Sequence, residues 1–476
     1  MSIPVRKLKK DDTYPVGGYV STQKHVILMC GNIDGNANKF YVLELQTNGN
    51  DFRLYSEYGR IGSPNPARDL REDLDLAEAE KEFERIKKSK LKKKTKTRKL
   101  VDGDDKHAEQ YREVDIAAPT IGSPNIRATS GDGGSTTTTT TKKSGGAAVG
   151  AIFTQMNYES SVQKLLSALL AENIHNIEAT SSVTVTHNGL ETPLGPITHS
   201  HIGTARDTLN RLLALTGTGK TNDRNSTARD VRDLNNEFFS LVPHQFGNRI
   251  TEADMLLSDN DIALKIDLLQ GMEAALTVTT ADDKDDDSPK LPLSMIELSR
   301  NHADFKAIKQ RVISTSKHHD VRDWKVNRIF TANNSNAVSQ YRNPMNGPEF
   351  DLFHGSANAN LLSIMLNGFY VPPSSASHVT GRMFGNGVYG ASSSSKSFRY
   401  SIGMWGGRRG RMQTAYMFVV RFGMGKVYET TSMRTSGAPK GYHSIHAKAG
   451  GQLRNDEYIV YNTNQAKVTH LIEMAQ

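Results

Sequence analysis

Between Ile116 and Gly150 the chain turns to Gly, Ser, Thr and Ala, with six consecutive threonines at 136–141 and no apolar face to pack. Such a stretch cannot join a core, so the 476 residues must fold as separate bodies on either side of it. We place a flexible linker at residues 118–150. A second break lies at ADDKDDDSPKLP, where five aspartates surround Lys284 and two prolines follow, and it sets an acidic linker at 281–290. At a soft prior of ~150 residues per domain, the length allows three. The domains expected are 15–117, 151–280 and 291–476.

Composition narrows the class. Hydrophobic residues make up 37 % and charged residues 23 %, which excludes a wholly disordered chain. No run of 18 apolar residues appears, and MSIPVRKLKKDDTY lacks the apolar core of a signal peptide. The expectation is an intracellular protein with no membrane partner. The single cysteine, Cys30, excludes an intramolecular disulfide framework and any zinc site built on several thiolates. Net charge is 59 − 51 = +8, and the excess is concentrated. KKSKLKKKTKTRK, residues 87–99, holds nine Lys/Arg and no acid, a segment suited to phosphate contact, nuclear import or a solvated loop.

Each domain has its own periodicity. In KFYVLELQTNGNDFRLYSEYGRIG, Tyr41, Leu43 and Leu45 alternate with polar residues and Asn48-Gly49-Asn50 supplies a turn, predicting a β-hairpin. After the linker, Val162, Leu165, Leu166, Leu169 and Leu170 fall at helical spacing. Leu209, Leu212 and Leu213, then Phe238, Leu241 and Val242, then Ile262, Ile266 and Leu269 continue it, so 151–280 reads as an all-α bundle. The last segment carries β-branched and aromatic runs (Tyr416 to Phe422, Tyr458 to Tyr461) between Gly- and Ser-rich loops, predicting mixed α/β structure with antiparallel sheets. The fold class expected is therefore multidomain α+β. ALTGTGKT at 214–221 fits a loose phosphate-loop pattern, but helical ARDTLNRLLAL precedes it where a strand is required, so it reads as a loop between helices.

The chemistry concentrates in LFHGSANANLLSIMLNGFYVPPSSASHVTGRMFGNGVYGASSSSKSFRY, Leu352 to Tyr400. It holds His-Gly-Ser after a short apolar strand, a helix from Asn360 to Asn367 closed by Gly368, and then Gly381, Gly385 and Gly387, which let backbone approach a ligand. Tyr389 and Tyr400 offer flat faces. Downstream, Glu457 opens the strand EYIVY, where a carboxylate can project into a cleft.

Taken together, HGS, TGRMFGNGVYGASSSSKSFRYS and NDEYIVYN resemble the catalytic domain of the poly(ADP-ribose) polymerases, with its His-Tyr-Glu triad of His354, Tyr389 and Glu457. LNNEFFSLVPHQFG and TPLGPITHSHIGTARDTLNRL resemble that family's helical regulatory domain, and FRLYSEYGRIGS is similar to its WGR domain with Tyr58 in place of Trp. The resemblance implies transfer of ADP-ribose from NAD, with nicotinamide release, to protein acceptors including the enzyme itself, without a metal. It implies that Gly355 and Ser397 hold the carboxamide, Tyr389 and Tyr400 flank the nicotinamide ring, His354 and Ser356 hold the adenosine-side ribose, and Glu457 stabilises the oxocarbenium-like transition state. It further implies activation by damaged DNA, nicks or strand ends, through Tyr58, Gly59 and Arg60. The place of action would be the nucleus in a eukaryote and the cytoplasm or nucleoid otherwise. Glu at 457 argues for chain elongation, while Tyr370 stands where members often carry Arg, and the stretch between Tyr442 and Glu457 is short, with Asn455 where an aromatic is common. A transferase that ignores DNA, and a catalytically silent NAD- or DNA-binding protein, remain the alternatives at this point.

Overall fold

A computed structural model describes residues 3–9, 18–19, 21–32, 37–61, 66–100, 103–114, 152–187, 189–192, 195–216, 224–244, 246, 252–282, 291–316, 321, 323–372, 383–403, 413–451 and 453–476. The linker at 118–150, most of the acidic linker (283–290) and Gly381 lie outside the described residues. The chain forms two compact units: Met1–Lys142 with Ile177–Leu212 and Lys220–Leu257, and Lys143–Asn176 with Leu213–Gly219 and Ser258–Gln476.

The first unit is built on strands β1 (Arg6–Leu8), β2 (Ser21–Asn32), β3 (Ala37–Thr47), β4 (Phe52–Arg60) and β5 (Ala67–Leu74), helix α1 (Leu76–Leu91), and strands β6 (Lys94–Leu100), β7 (Gly103–Glu109) and β8 (Arg112–Val114). Six strands pair antiparallel in the order β1-β5-β4-β3-β2-β8, and β6 pairs with β7. The β3–β4 hairpin turns where Asn48-Gly49-Asn50 predicted it: Asn48 Oδ1 accepts the Asn50 and Asp51 amides at 3.0 and 2.8 Å, and Gly49 takes φ 105°. Helix α1 starts at Asp75, whose carboxylate accepts the Glu78 amide at 2.8 Å, and lays Ala79, Phe83 and Ile86 on Leu28, Leu43 and Leu54 of the sheet. The basic run is thus no loop. Its first half is the last turn of α1 and its second half is β6.

The helical region supplies α2 (Ile152–Gln155), α3 (Ser160–Thr180), α4 (His199–Thr216), α5 (Arg224–Leu241) and α6 (Asp259–Thr279). It also carries a small antiparallel sheet, β9 (Thr184–Thr186), β10 (Gly189–Thr192) and β11 (Gly195–Ile197), whose first strand is a short run of alternating Thr and Val. Helix α4 runs into the phosphate-loop-like stretch, so the required strand is absent before it. In the first unit, β2 approaches α5 so closely that a Cβ on Gly31 would lie 2.8 Å from Ser240 Oγ and 2.9 Å from the Asn236 carbonyl. Glu237 of α5 receives Arg112 of β8 at 2.5 Å, and Arg211 and Thr208 of α4 at 2.9 Å each.

In the second unit follow β12 (Leu293–Glu297), α7 (Ala303–Ser314), β13 (Lys325–Asn334), α8 (Ser335–Gln340), β14 (Glu349–Gly355), α9 (Asn358–Asn367), β15 (Val388–Gly390), α10 (Ser394–Ser401), β16 (Thr414–Gly423), β17 (Val427–Thr430), β18 (Ser444–Ala447), β19 (Glu457–Val460) and β20 (Ala466–Ala475). They make two sheets, β12-β13-β20-β16-β14 and β15-β19-β18-β17, antiparallel except for β17 with β18. Trp324, Phe353, Phe398, Met417 and Ile472 share the main core beneath α7 and α10. The two sheets meet where Phe353 and Ala391 exchange backbone hydrogen bonds of 2.9 and 3.0 Å. That junction places the end of β14 against the end of β15.

Candidate active site

The sheet junction brings His354 to Tyr389. His354 Nδ1 lies 2.8 Å from the Tyr389 carbonyl. A carbonyl can only accept, so Nδ1 carries a proton and the ring is oriented by that bond. The edge of Phe369 packs on the imidazole at a centroid distance of 5.0 Å. Tyr389 is held at its other end, its hydroxyl donating to the Gly385 carbonyl (2.7 Å) and accepting the Phe384 amide (3.0 Å).

Helix α10 crosses this junction. Ser397 Oγ donates to the Phe353 carbonyl at 2.8 Å, so its proton is in use and its lone pairs remain for an incoming N–H. A Cβ on Gly355 would lie 1.8 Å from the Ser397 carbonyl, so no other residue fits between β14 and α10. Gly387 is required likewise by the β19 side chain of Ile459, 2.6 Å from a built Cβ, and Gly385 by φ 82° and the nearby Gly437 amide. These two glycines serve packing of the protein against itself. Ser356 follows β14 and is half-buried.

Glu457 begins β19 and is buried. Its carboxylate meets the ammonium of Lys396, a residue sequence reasoning passed over. Lys396 and Tyr400 stand four apart on α10 and so share a face. Tyr400 is 46 % exposed, and burial of its hydroxyl together with the Glu457 charge holds its pKa above the usual phenol value. Before Glu457 the chain makes a tight closure. Gly450 and Leu453 exchange backbone hydrogen bonds, and Asp456 accepts from the Ala449 amide and His446 Nε2 at 2.8 Å each. Among the described residues, no three His, Cys, Asp or Glu side chains are grouped to hold a metal ion, and no helix is long and apolar enough to cross a membrane.

Helix α9, directly after His354-Gly355-Ser356, has no side-chain cap on its N-terminus. Helices α3 and α6 reach it instead. Asn358 donates to Glu172 (3.3 Å), Asn360 to Asp267 (3.0 Å) and Ser363 to the Gln270 carbonyl (2.9 Å). Burial pushes the Glu172 carboxyl up.

Tyr58, Gly59 and Arg60 close β4 in the first unit. Tyr58 stacks on Tyr41 at 5.3 Å and its hydroxyl donates to Asp69 at 3.2 Å. Lys90 covers both rings, 3.8 Å from Tyr41 and 5.3 Å from Tyr58, and Lys87 pairs with Glu113 at 2.8 Å. Lys88, Lys92 and Lys93 are exposed.

Comparison with known proteins follows the same order along the chain. Residues 25–100 match the sequence model of the WGR domain, 157–297 that of the poly(ADP-ribose) polymerase regulatory domain, and 302–450 that of the poly(ADP-ribose) polymerase catalytic domain. The chain is similar to protein mono-ADP-ribosyltransferase PARP3 of Homo sapiens, 24 % identical over 99 % of this chain and 93 % of the relative. It is also similar to poly [ADP-ribose] polymerase 1 of Oryza sativa subsp. japonica, 23 % identical over 94 % of this chain and 46 % of the relative. Against poly [ADP-ribose] polymerase 2 of Homo sapiens, the identity is 23 % over 60 % of this chain and 54 % of the relative.

Proposed function

The chain belongs to the poly(ADP-ribose) polymerase family and is an NAD+ ADP-ribosyltransferase, and from that premise we propose that damaged DNA activates it to modify protein acceptors, itself included, and to extend the chain. The observation that carries the reading is the convergence of Gly355, Tyr389, Ser397 and the Glu457–Lys396 pair on one sheet junction. Gly355 backbone and the Ser397 lone pairs hold the carboxamide of NAD. Tyr389 and Tyr400 flank the nicotinamide ring. His354, its ring oriented by the Nδ1–H bond, presents Nε2 to a ribose hydroxyl on the adenosine side, with Ser356 beside it. Glu457 binds the nicotinamide ribose and stabilises positive charge as the glycosidic bond to nicotinamide breaks, then takes the proton of the attacking acceptor.

Regulation enters through α9. Helices α3 and α6 grip the turn that follows His354-Gly355-Ser356, and in this reading they restrict access to NAD until DNA, held by Arg60 and the exposed lysines at 88, 92 and 93, loosens them. With relatives that include plant and animal proteins, the nucleus is the place of action we propose.

A second reading, single transfer without elongation, is favoured by the tight closure before Glu457 and by the PARP3 name of a relative that aligns along nearly the whole chain. Product length separates them. Incubation with NAD and nicked DNA should give long ADP-ribose chains on the enzyme and little product without DNA, whereas single units alone support the second reading and equal product without DNA removes the DNA dependence.

A further inference from the structure

One imidazole holds both chain neighbours of Glu457. In β19 the side chains of Glu457 and Tyr458 point to opposite faces of the sheet. On the Tyr458 face stands His446 of β18, whose register partner is Tyr458, while Ala447 is the partner of Glu457. His446 Nε2 donates to Asp456 Oδ2 at 2.8 Å, and its ring stacks on Tyr458 at a centroid distance of 4.3 Å and an interplanar angle of 11°. Asp456 precedes Glu457 and Tyr458 follows it, so the residues on either side of the carboxylate are fixed from one point. Each is also held once more: Asp456 Oδ1 accepts the Ala449 amide at 2.8 Å, and Phe350 packs on Tyr458 at 5.3 Å.

The other ring nitrogen faces a third strand. His446 Nδ1 lies 3.6 Å from Glu429 Oε1 of β17, a pairing that exists only when the imidazole is charged. Glu429 Oε2 takes Lys448 at 2.6 Å. Among the described residues, the ionisable groups around the ring are therefore Asp456 and Tyr458 on one side, and Glu429 with its Lys448 on the other. Tyr458 stays neutral beside them: burial first, then the Asp456 and Glu429 charges, hold its phenol above the usual value. Imidazole changes charge between about pH 5 and 8. The neutral ring ties β18 to β19 alone, and the charged ring ties β17, β18 and β19 together.

We propose that His446 is a positioning residue for Glu457, and that protonation of its ring tightens the hold by adding Glu429. A carboxylate that acts on developing positive charge works only from a fixed position, and that position follows from the backbone on either side of it. His446 stands on the other face of the sheet, away from the reacting atoms, so its effect falls on turnover and not on NAD binding. The exposed Glu429, 57 % against 17 % for His446, makes the added tie a modest one. The inference rests on the transferase reading for its kinetic consequence, but not for the coupling of His446 to the Glu457 backbone.

The test uses the full chain with nicked DNA between about pH 5.5 and 8.5, and reads nicotinamide release together with the NMR signal of the Glu457 backbone amide. The wild-type kcat should exceed that of Glu429→Gln about threefold at the acid end, and the two should converge at the alkaline end, with KM for NAD alike. His446→Phe keeps a ring on Tyr458 but loses the donor, and should lower kcat about tenfold at about pH 8 with KM unchanged. His446→Gln, which can donate to Asp456 again, should recover part of the loss. The Glu457 amide signal should titrate with the imidazole in the wild type and stay flat in His446→Phe. Wild-type kcat in His446→Phe overturns the proposal, as does a rise in KM in place of the fall in kcat. Should His446→Phe fail to fold, Glu429→Gln decides: a ratio to wild type that is constant across pH makes His446 a stability contact only and overturns the proposal. Wild-type protein that releases no nicotinamide would instead remove the transferase reading, and a Glu457 amide that ignores the imidazole would still overturn this one.

Discussion

Lys396 and Glu457 meet across 61 residues of sequence, the ammonium on α10 resting against the carboxylate that opens β19. Their side chains are only 17 % and 11 % exposed, so each is the other's main compensation for lost water. Removing one leaves the other buried and unpaired.

Lys396→Met should therefore lower kcat by about tenfold to a hundredfold with little change in KM for NAD, because the carboxylate loses its orientation while the nicotinamide contacts stay. Lys396→Arg should recover part of the loss. Steady-state kinetics decides it, and a variant whose KM rises while kcat is unchanged would place Lys396 in binding instead.

The grip of α3 and α6 on α9 predicts a variant that is active without DNA. Asp267→Ala removes the acceptor of the Asn360 amide, one of three hydrogen bonds holding α9, at roughly 1 kcal/mol. Activity without DNA should rise severalfold and the stimulation by nicked DNA should shrink by the same factor. Unchanged basal activity would show that α6 does not gate the site.

Lys265 makes the stability of the same helix depend on pH. Burial lowers its pKa from 10.5 to about 8, with Asp261 acting in the opposite sense. The folded state thus disfavours the charged form. The group costs nothing above the unfolded value of 10.5, and its penalty grows as pH falls, reaching on the order of 3 kcal/mol below about 8. Lys265→Met should raise the thermal midpoint at pH 7, and the gain should fade as pH rises from 8 toward 10.5. A gain that does not change with pH would assign the effect to packing alone.

Much of this was legible in advance, and what was not has physical causes. Alternation and Asn48-Gly49 gave the hairpin, and leucine spacing gave the helices, because both signals are local. In the basic run, charge drew attention from period: Leu91 ends a helix that Ala79, Phe83 and Ile86 had begun, and the lysines beyond it alternate with Thr95 and Thr97 as a strand. The motif residues His354, Tyr389, Ser397 and Glu457 were identifiable from resemblance, but Lys396 could be found only from the fold. Its partner lies on another element, and a lysine among serines looks like solvent-facing polarity. Gly385 and Gly387 were read as ligand-facing, whereas the folded chain needs them to pack against residues 435–437 and β19.

The lysines of the basic run should divide into two classes. Neutralising exposed Lys88, Lys92 and Lys93 should flatten the dependence of log affinity for nicked DNA on log salt, by about 0.9 for each phosphate the protein no longer neutralises. Lys87→Gln and Lys90→Gln should leave the slope nearly unchanged and lower stability, since Lys87 pairs with Glu113 and Lys90 covers Tyr41. Equal slopes in both sets would place the DNA-binding surface elsewhere.

The direct test of the central claim is nicotinamide release from NAD by the full chain and by Glu457→Gln, each with nicked DNA. Glutamine keeps the shape and removes the charge. The wild-type chain should release nicotinamide and Glu457→Gln should do so about 10²–10³ times more slowly, at nearly the same affinity for NAD. Release at the wild-type rate from Glu457→Gln would contradict the assignment of the reaction to this carboxylate.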